Sequence, residues 1–155
     1  MSGQINSAKI YVTMFQDKKQ QGMTMGRTIT RILAAIPGLP MLLIGVGLVL
    51  QPEQAVNNLN MPLLEGLALS TQLGDMTAFF LCAAAFIFMG AYHAAPRWLL
   101  AGAALFIVAA FARTLAWQVH GAGFATESIA VELISTVWLV ICSLILSRYD
   151  GKSSD

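Results

Sequence analysis

The sequence predicts an all-α integral membrane protein, a four-helix bundle, from its composition and from the length of its apolar runs. Of the 155 residues, 57% are hydrophobic and 11% are charged, whereas an average soluble domain is about 25% charged. The apolar residues gather into runs of about twenty residues, the length at which a helix crosses a bilayer core. The net charge of +1 gives no electrostatic basis for binding nucleic acid.

The chain divides into a four-span domain over residues 29–147 and a polar tail at each end. Residues 1–28 are expected to lie in the cytoplasm or on the membrane surface, and residues 148–155 in the cytoplasm. The four spans are predicted at about 29–50, 75–95, 98–118 and 128–147.

The prolines and the lengths of the connections predict how the four spans are arranged. Pro37 and Pro40 are expected to kink the first span, because proline removes a backbone hydrogen bond that neighbouring helices must replace. Residues 51–74 form the longest connection, in which Met61 to Leu69 is apolar enough for a short helix. Pro96 ends the second span, so the second and third spans should be antiparallel neighbours.

The positions of lysine and arginine predict the orientation. With four spans, every lysine and arginine except Arg113 falls on one side of the membrane: Lys9, Lys18, Lys19, Arg27, Arg31, Arg97, Arg148 and Lys152. The opposite side, residues 51–74 and 119–127, contains none. Positive charge marks the cytoplasmic face, so both termini are expected in the cytoplasm.

One ionisable residue lies inside each of the last two spans. Arg113 comes about five residues before the outer end of the third span, and Glu132 about five residues after the outer start of the fourth. At 1.5 Å per residue both lie roughly 7 Å inside the boundary, so an antiparallel hairpin brings them level. Pairing lowers the cost of each charge in hydrocarbon.

Other polar residues extend this pair into a predicted cluster. Asp75 is expected to open the second span on the same side, where the helix dipole favours a carboxylate. The remaining members are Gln118, His120, Ser135 and Thr136. Two interpretations stay open: Arg113 and Glu132 form an interhelical clasp that fixes the register, or they line an outward-facing cavity that binds a polar head group or relays protons.

No metal, cofactor or catalytic site is predicted. His93 and His120 fall at opposite surfaces, and no group of residues has metal-ligand spacing. Cys82 and Cys142 fall at different depths, which argues against a disulfide. The sequence contains no serine elbow or phosphate loop, and we expect no enzyme.

Four short motifs resemble a known family. The runs STQLGDMTAFFL, APRWLLAGAAL, ARTLAWQVHGAG and AVEL are similar to those of small four-span bacterial inner-membrane proteins that are catalogued only as a domain of unknown function. The likeness covers about residues 36–147, and its marked positions here are Asp75, Arg113, Gly121 and Glu132. The resemblance implies four spans and the bacterial inner membrane, and it implies no reaction.

Two functional hypotheses follow. The first is a non-enzymatic accessory, assembly or scaffold subunit of a membrane complex, because apolar helix faces and small-residue stripes suit partner helices. The alternative is a small transporter or a lipid- or small-molecule-binding protein that uses a polar cavity at Arg113, Glu132 and Asp75. The expected partners are the lipid bilayer and either a membrane protein or further copies of this chain.

Overall fold

The described part of the chain is helical. The computed structural model describes Met14, residues 20–22 and residues 24–151. The helices are α1 (24–35), α2 (Gly38–Leu50), α3 (Pro52–Asn58), α4 (Gly66–His93), α5 (Pro96–His120) and α6 (Thr126–Gly151). No strand occurs in these residues, which confirms the predicted all-α class.

Four helical segments are long and apolar enough to span a membrane. They are Gln20–Leu50, Gly66–His93, Pro96–His120 and Thr126–Tyr149. The first of these segments contains both α1 and α2. The 25 residues of α5 extend about 37 Å, more than the roughly 30 Å of a bilayer core. The protein is therefore a multi-pass membrane-embedded helical bundle.

Consecutive spans pack against one another as antiparallel neighbours. α4 packs on α2 and on α5, and α5 packs on α6. Two glycines allow close approaches of α4 to its neighbours, because a Cβ atom at Gly45 would lie 2.6 Å from the Leu81 side chain and one at Gly90 2.5 Å from that of Leu99. Small residues are what let helix backbones approach closely in lipid, where packing drives association.

The helix bounds differ from the predicted spans mainly in the first connection. The short helix there is α3, which precedes the predicted stretch, and Met61 to Glu65 is not helical. α4 begins at Gly66 rather than at Asp75. Helix also extends upstream of Ile29 to residue 24. The expected N-terminal tail lies mostly outside the described residues.

The predicted kink in the first span is present, and a neighbouring helix compensates for it. Turn residues Ile36 and Pro37 separate α1 from α2. Because proline has no N–H, the carbonyl four residues earlier, that of Leu33, loses its usual helical donor. The indole Nε1 of Trp138 in α6 donates to this carbonyl at 2.9 Å. The same carbonyl also accepts a longer bond from the Ile36 N–H at 3.3 Å, so the indole adds a second, shorter bond that joins the first and last spans at the break.

The turn between α4 and α5 is stabilised by an arginine from the first span. Ala94 adopts a left-handed conformation with φ 51°, and Pro96 begins α5. The Arg31 guanidinium donates from Nε to the carbonyl of Ala91 at 2.8 Å and from Nη2 to that of Tyr92. A cation at a helix C-terminus satisfies its last carbonyls and complements its dipole.

We expect Trp138→Phe to lower the free energy of unfolding by about 0.5–2 kcal/mol, because it leaves the Leu33 carbonyl without a side-chain donor. The loss should be smaller when Trp138→Phe is made in a Pro37→Ala chain, where the restored N–H can serve that carbonyl. Reversible unfolding in mixed detergent micelles measures both values.

Trp117→Phe is the matched control. Trp117 is 45% exposed, its ring packs against Phe124, and its indole makes no hydrogen bond within the described residues. An equal loss for Trp138→Phe with and without Pro37→Ala would contradict the proposed compensation.

Candidate functional site

The two charges inside the last spans are in direct contact. Arg113 in α5 donates from Nε to Oε1 of Glu132 in α6, at 2.9 Å. Toward the other end of the α5–α6 pair, Ser143 Oγ donates to the carbonyl of Pro96, as expected for two antiparallel helices. The depth argument therefore predicts the contact correctly.

The two partners differ in burial. The Glu132 side chain is 8% exposed, whereas that of Arg113 is 44% exposed. Glu132 Oε2 is buried and has no hydrogen-bond partner in the described part of the chain. A buried charge is costly unless it is paired and hydrogen-bonded. Glu132 therefore depends on a single contact from Arg113.

Arg113 opens into a cavity of about 780 Å³ at the end of the bundle that contains α3. The cavity, here called the α3-end cavity, lies between α4, α5, the start of α6 and the chain after α3. Its lining residues are Leu59, Asn60, Met61, Asp75, Met76, Phe79, Phe80, Ala109, Ala112, Arg113, Phe124, Ala125, Thr126, Glu127 and Ser128. Its volume falls in the range of roughly 300–1,000 Å³ that is typical of small-molecule sites.

The position of Asp75 differs from the one that the sequence predicts. The residue lies in the third turn of α4 and not at the helix start, so the helix dipole does not explain it. It is exposed and lines the α3-end cavity together with Arg113. No hydrogen bond or ion pair joins the two within the described residues. Asp75 therefore shares the cavity with the clasp but does not complete it.

The other predicted members of the polar cluster lie outside the cavity lining. Gln118 and His120 are exposed on the last turn of α5. Thr136 donates to the Glu132 carbonyl of its own helix at 2.8 Å and lies 3.5 Å from that of Ala103. Ser135 is half-buried beside it. The hydroxyl of Thr136 thus contacts backbone and does not extend the site.

Gln72 is a positioning residue that the sequence interpretation missed. Its buried side chain accepts a hydrogen bond at Oε1 from the Leu64 N–H at 3.0 Å and donates from Nε2 to the Pro62 carbonyl at 2.9 Å. It thereby fixes the chain just after Met61, which lines the cavity. Gln72 and the buried Phe80 lie about two helical turns apart, on the packed face of α4. The sequence predicts this burial only if the helix begins as early as Gly66.

The cavity combines ionised groups with an apolar wall. Arg113, Asp75 and Glu127 supply charge, and phenylalanine, methionine and alanine side chains form most of the remaining surface. Within residues 24–151, no three His, Cys, Asp or Glu side chains are grouped so as to hold a metal ion. The arrangement suits an amphiphile, with its polar group at the charges and its hydrocarbon against the rings.

We expect Arg113→Ala to lower the free energy of unfolding by about 3–5 kcal/mol, because it leaves Glu132 buried without a partner. Glu132→Gln should cost less, about 1–2 kcal/mol, because the Arg113 side chain is largely open to the cavity. The exchanged pair Arg113→Glu with Glu132→Arg should recover part of the loss. Equal wild-type stability for both single variants would rule out the clasp.

Comparison of the chain with protein-family models, with curated proteins and with solved structures finds no match. The resemblance to four-span inner-membrane proteins, carried by Asp75, Arg113, Gly121 and Glu132, therefore stays a prediction. Function has to be argued from the α3-end cavity and from the residues that line it.

Proposed function

We propose that this membrane protein is non-enzymatic and binds an amphiphile, a lipid or a small molecule, in the α3-end cavity. The observation that carries the proposal is the position of Arg113. Its side chain is anchored by Glu132 and remains 44% exposed in a cavity with an apolar wall. Ionisable residues inside spans usually face such cavities and mark binding sites or pathways.

The clasp and the binding site are compatible in this proposal. Glu132 restrains Arg113 through Nε alone, so the two terminal nitrogens of the guanidinium remain available, since the group has five donors. Binding can therefore use the cavity without breaking the contact that joins α5 to α6. A single pair of this kind supports a binding role better than a proton relay.

The second candidate is an accessory, assembly or scaffold subunit in a membrane complex. Exposed apolar side chains occur on every span, for example Leu43, Tyr92, Phe111 and Ile134. A bilayer alone accounts for such surfaces. The small residues Gly102, Ala103 and Ala110 of α5 are buried within the bundle, so they pack against this chain's own helices. The α3-end cavity is therefore the stronger basis for a function.

We further propose that both termini are cytoplasmic, in a bacterial inner membrane, so that the cavity opens on the outer side. Arg31 and Arg97 lie at the end of the bundle opposite the cavity, and the turn between α5 and α6 carries no lysine or arginine. This asymmetry supports the orientation through the positive-inside rule.

Cysteine labelling tests the orientation. In a chain with Cys82 and Cys142 replaced by alanine, a membrane-impermeant maleimide should label Ala122→Cys in intact cells. It should label Arg97→Cys only after the cells are permeabilised. The reverse pattern would place the cavity on the cytoplasmic side.

Native mass spectrometry after mild-detergent extraction tests the binding function. We expect the wild-type bundle to carry a bound lipid or small molecule, and Ala112→Phe, which fills the cavity, to lose it. Ala104→Phe is the matched control, because Ala104 is exposed on α5 away from the cavity lining.

A stoichiometric second protein with no bound amphiphile would favour the accessory-subunit function instead. Retention of the same adduct by Ala112→Phe would show that the ligand binds elsewhere on the bundle.

A further inference from the structure

Helices α4 and α5 pack closely at one end and are separated at the other. Near their short connecting turn, a Cβ atom at Gly90 would lie 2.5 Å from the Leu99 side chain, and the rings of Phe86 and Trp98 are stacked with centres 5.6 Å apart. Toward α3, both helices instead line the α3-end cavity. The two helices therefore enclose a wedge-shaped cleft that widens toward α3.

The cleft is continuous with the surface of α5 that faces the bilayer. Ala112 lines the cavity and is itself exposed, whereas Ala109 lines it and is half-buried. About one helical turn from Ala112 on either side, Val108 and Leu115 are 63% and 44% exposed. On α5, the route from the bilayer into the cleft therefore runs over alanine, valine and leucine side chains.

The cavity lies at the depth of one leaflet. At 1.5 Å per residue, Phe80 and Ala109 lie about 20 Å from the turn between α4 and α5, and Asp75 and Arg113 about 26 Å from it. With that turn at one boundary of a hydrocarbon core roughly 30 Å thick, the apolar base lies about 10 Å inside the other boundary and the charged residues about 4 Å inside it. The polarity of the lining thus follows that of a leaflet, in which head groups lie above acyl chains.

We propose, building on the binding function above, that the ligand of the α3-end cavity is a phospholipid of the surrounding bilayer, taken from the leaflet next to α3. One acyl chain enters sideways between α4 and α5 and packs against Phe79, Ala109 and Ala112. This placement brings the phosphate within reach of the terminal nitrogens of Arg113. An acyl chain keeps the apolar wall away from water, which makes it a better occupant than water itself.

Photocrosslinking in a bilayer tests the proposal. The full-length protein is reconstituted in phosphatidylcholine vesicles with one of two probes that share the phosphocholine head group. The first is a phosphatidylcholine with a diazirine in the middle of one acyl chain, and the second is hexylphosphocholine with a diazirine in its tail, added from water. Mass spectrometry identifies the labelled residues. We expect the phosphatidylcholine probe to label Phe79, which is half-buried, at least as strongly as Ile134, which is 67% exposed on α6.

Substitutions at the edge of the cleft distinguish a bound lipid from general bilayer contact. Ala112→Phe should reduce the labelling of Phe79 about fivefold, because overfilling a packed site displaces its occupant, and Ala112→Leu should reduce it less. Unchanged labelling of Ile134 shows that the bundle is intact. Ala104→Phe is the matched control, because Ala104 is exposed on the same helix away from the cavity lining, and it should leave both labels unchanged.

The failures of the two proposals are distinguishable. Labelling of Phe79 by hexylphosphocholine but not by the phosphatidylcholine probe would overturn the bilayer lipid and leave the amphiphile-binding function standing. Phosphatidylcholine labelling of Phe79 that is unchanged in Ala112→Phe would also overturn the bilayer lipid, because the probe would then reach Phe79 from outside the cleft. Labelling of Phe79 by neither probe would overturn both.

Discussion

The absence of water from hydrocarbon is the constraint on which this structure depends. Every polar group inside the bilayer must find its partner within the protein, and three contacts between spans illustrate how the bundle meets this requirement. Trp138 donates to the Leu33 carbonyl, which lacks its usual helical donor because of Pro37. Arg31 donates to the last carbonyls of α4, and Arg113 donates to Glu132. Each contact joins two spans, so the hydrogen bonds that satisfy polar groups also fix the arrangement of the helices.

The clasp between α5 and α6 differs from the other two contacts because it is incomplete. Trp138 and Arg31 donate to backbone carbonyls, which are present whatever the sequence. Arg113 and Glu132 instead bring two charged side chains into the bundle, where a pair of apolar side chains could also join the helices. One side chain of the pair is open to a cavity, and that cavity is also lined by the carboxylates of Asp75 and Glu127. A purely structural clasp needs neither feature. This is why we assign the α3-end cavity a binding function.

The sequence predicts the spans well and the site in part. Hydropathy identifies four spans because their length is set by the bilayer, and counting residues from the ends of α5 and α6 places Arg113 level with Glu132. The sequence places Asp75 at a helix start because the polar residues before it resemble a loop, whereas the helix begins at Gly66 and Gln72 within it bonds to the chain at Pro62 and Leu64. The role of Arg31 was also hidden, because in sequence it is one of several positive charges near the first span. The Arg31 contacts link residues about sixty positions apart along the chain, so no local pattern contains them.

The central claim is that Arg113 and Glu132 are in direct contact within the bilayer. Solid-state nuclear magnetic resonance on the protein in lipid vesicles tests it, with labelled arginine side-chain nitrogen and labelled glutamate carboxyl carbon. The contact of 2.9 Å between Nε and Oε1 predicts a strong nitrogen–carbon dipolar coupling that disappears in Glu132→Gln, in which the labelled carboxyl is absent. A wild-type spectrum without that coupling would contradict the account, because Glu132 would then have to be stabilised by another group.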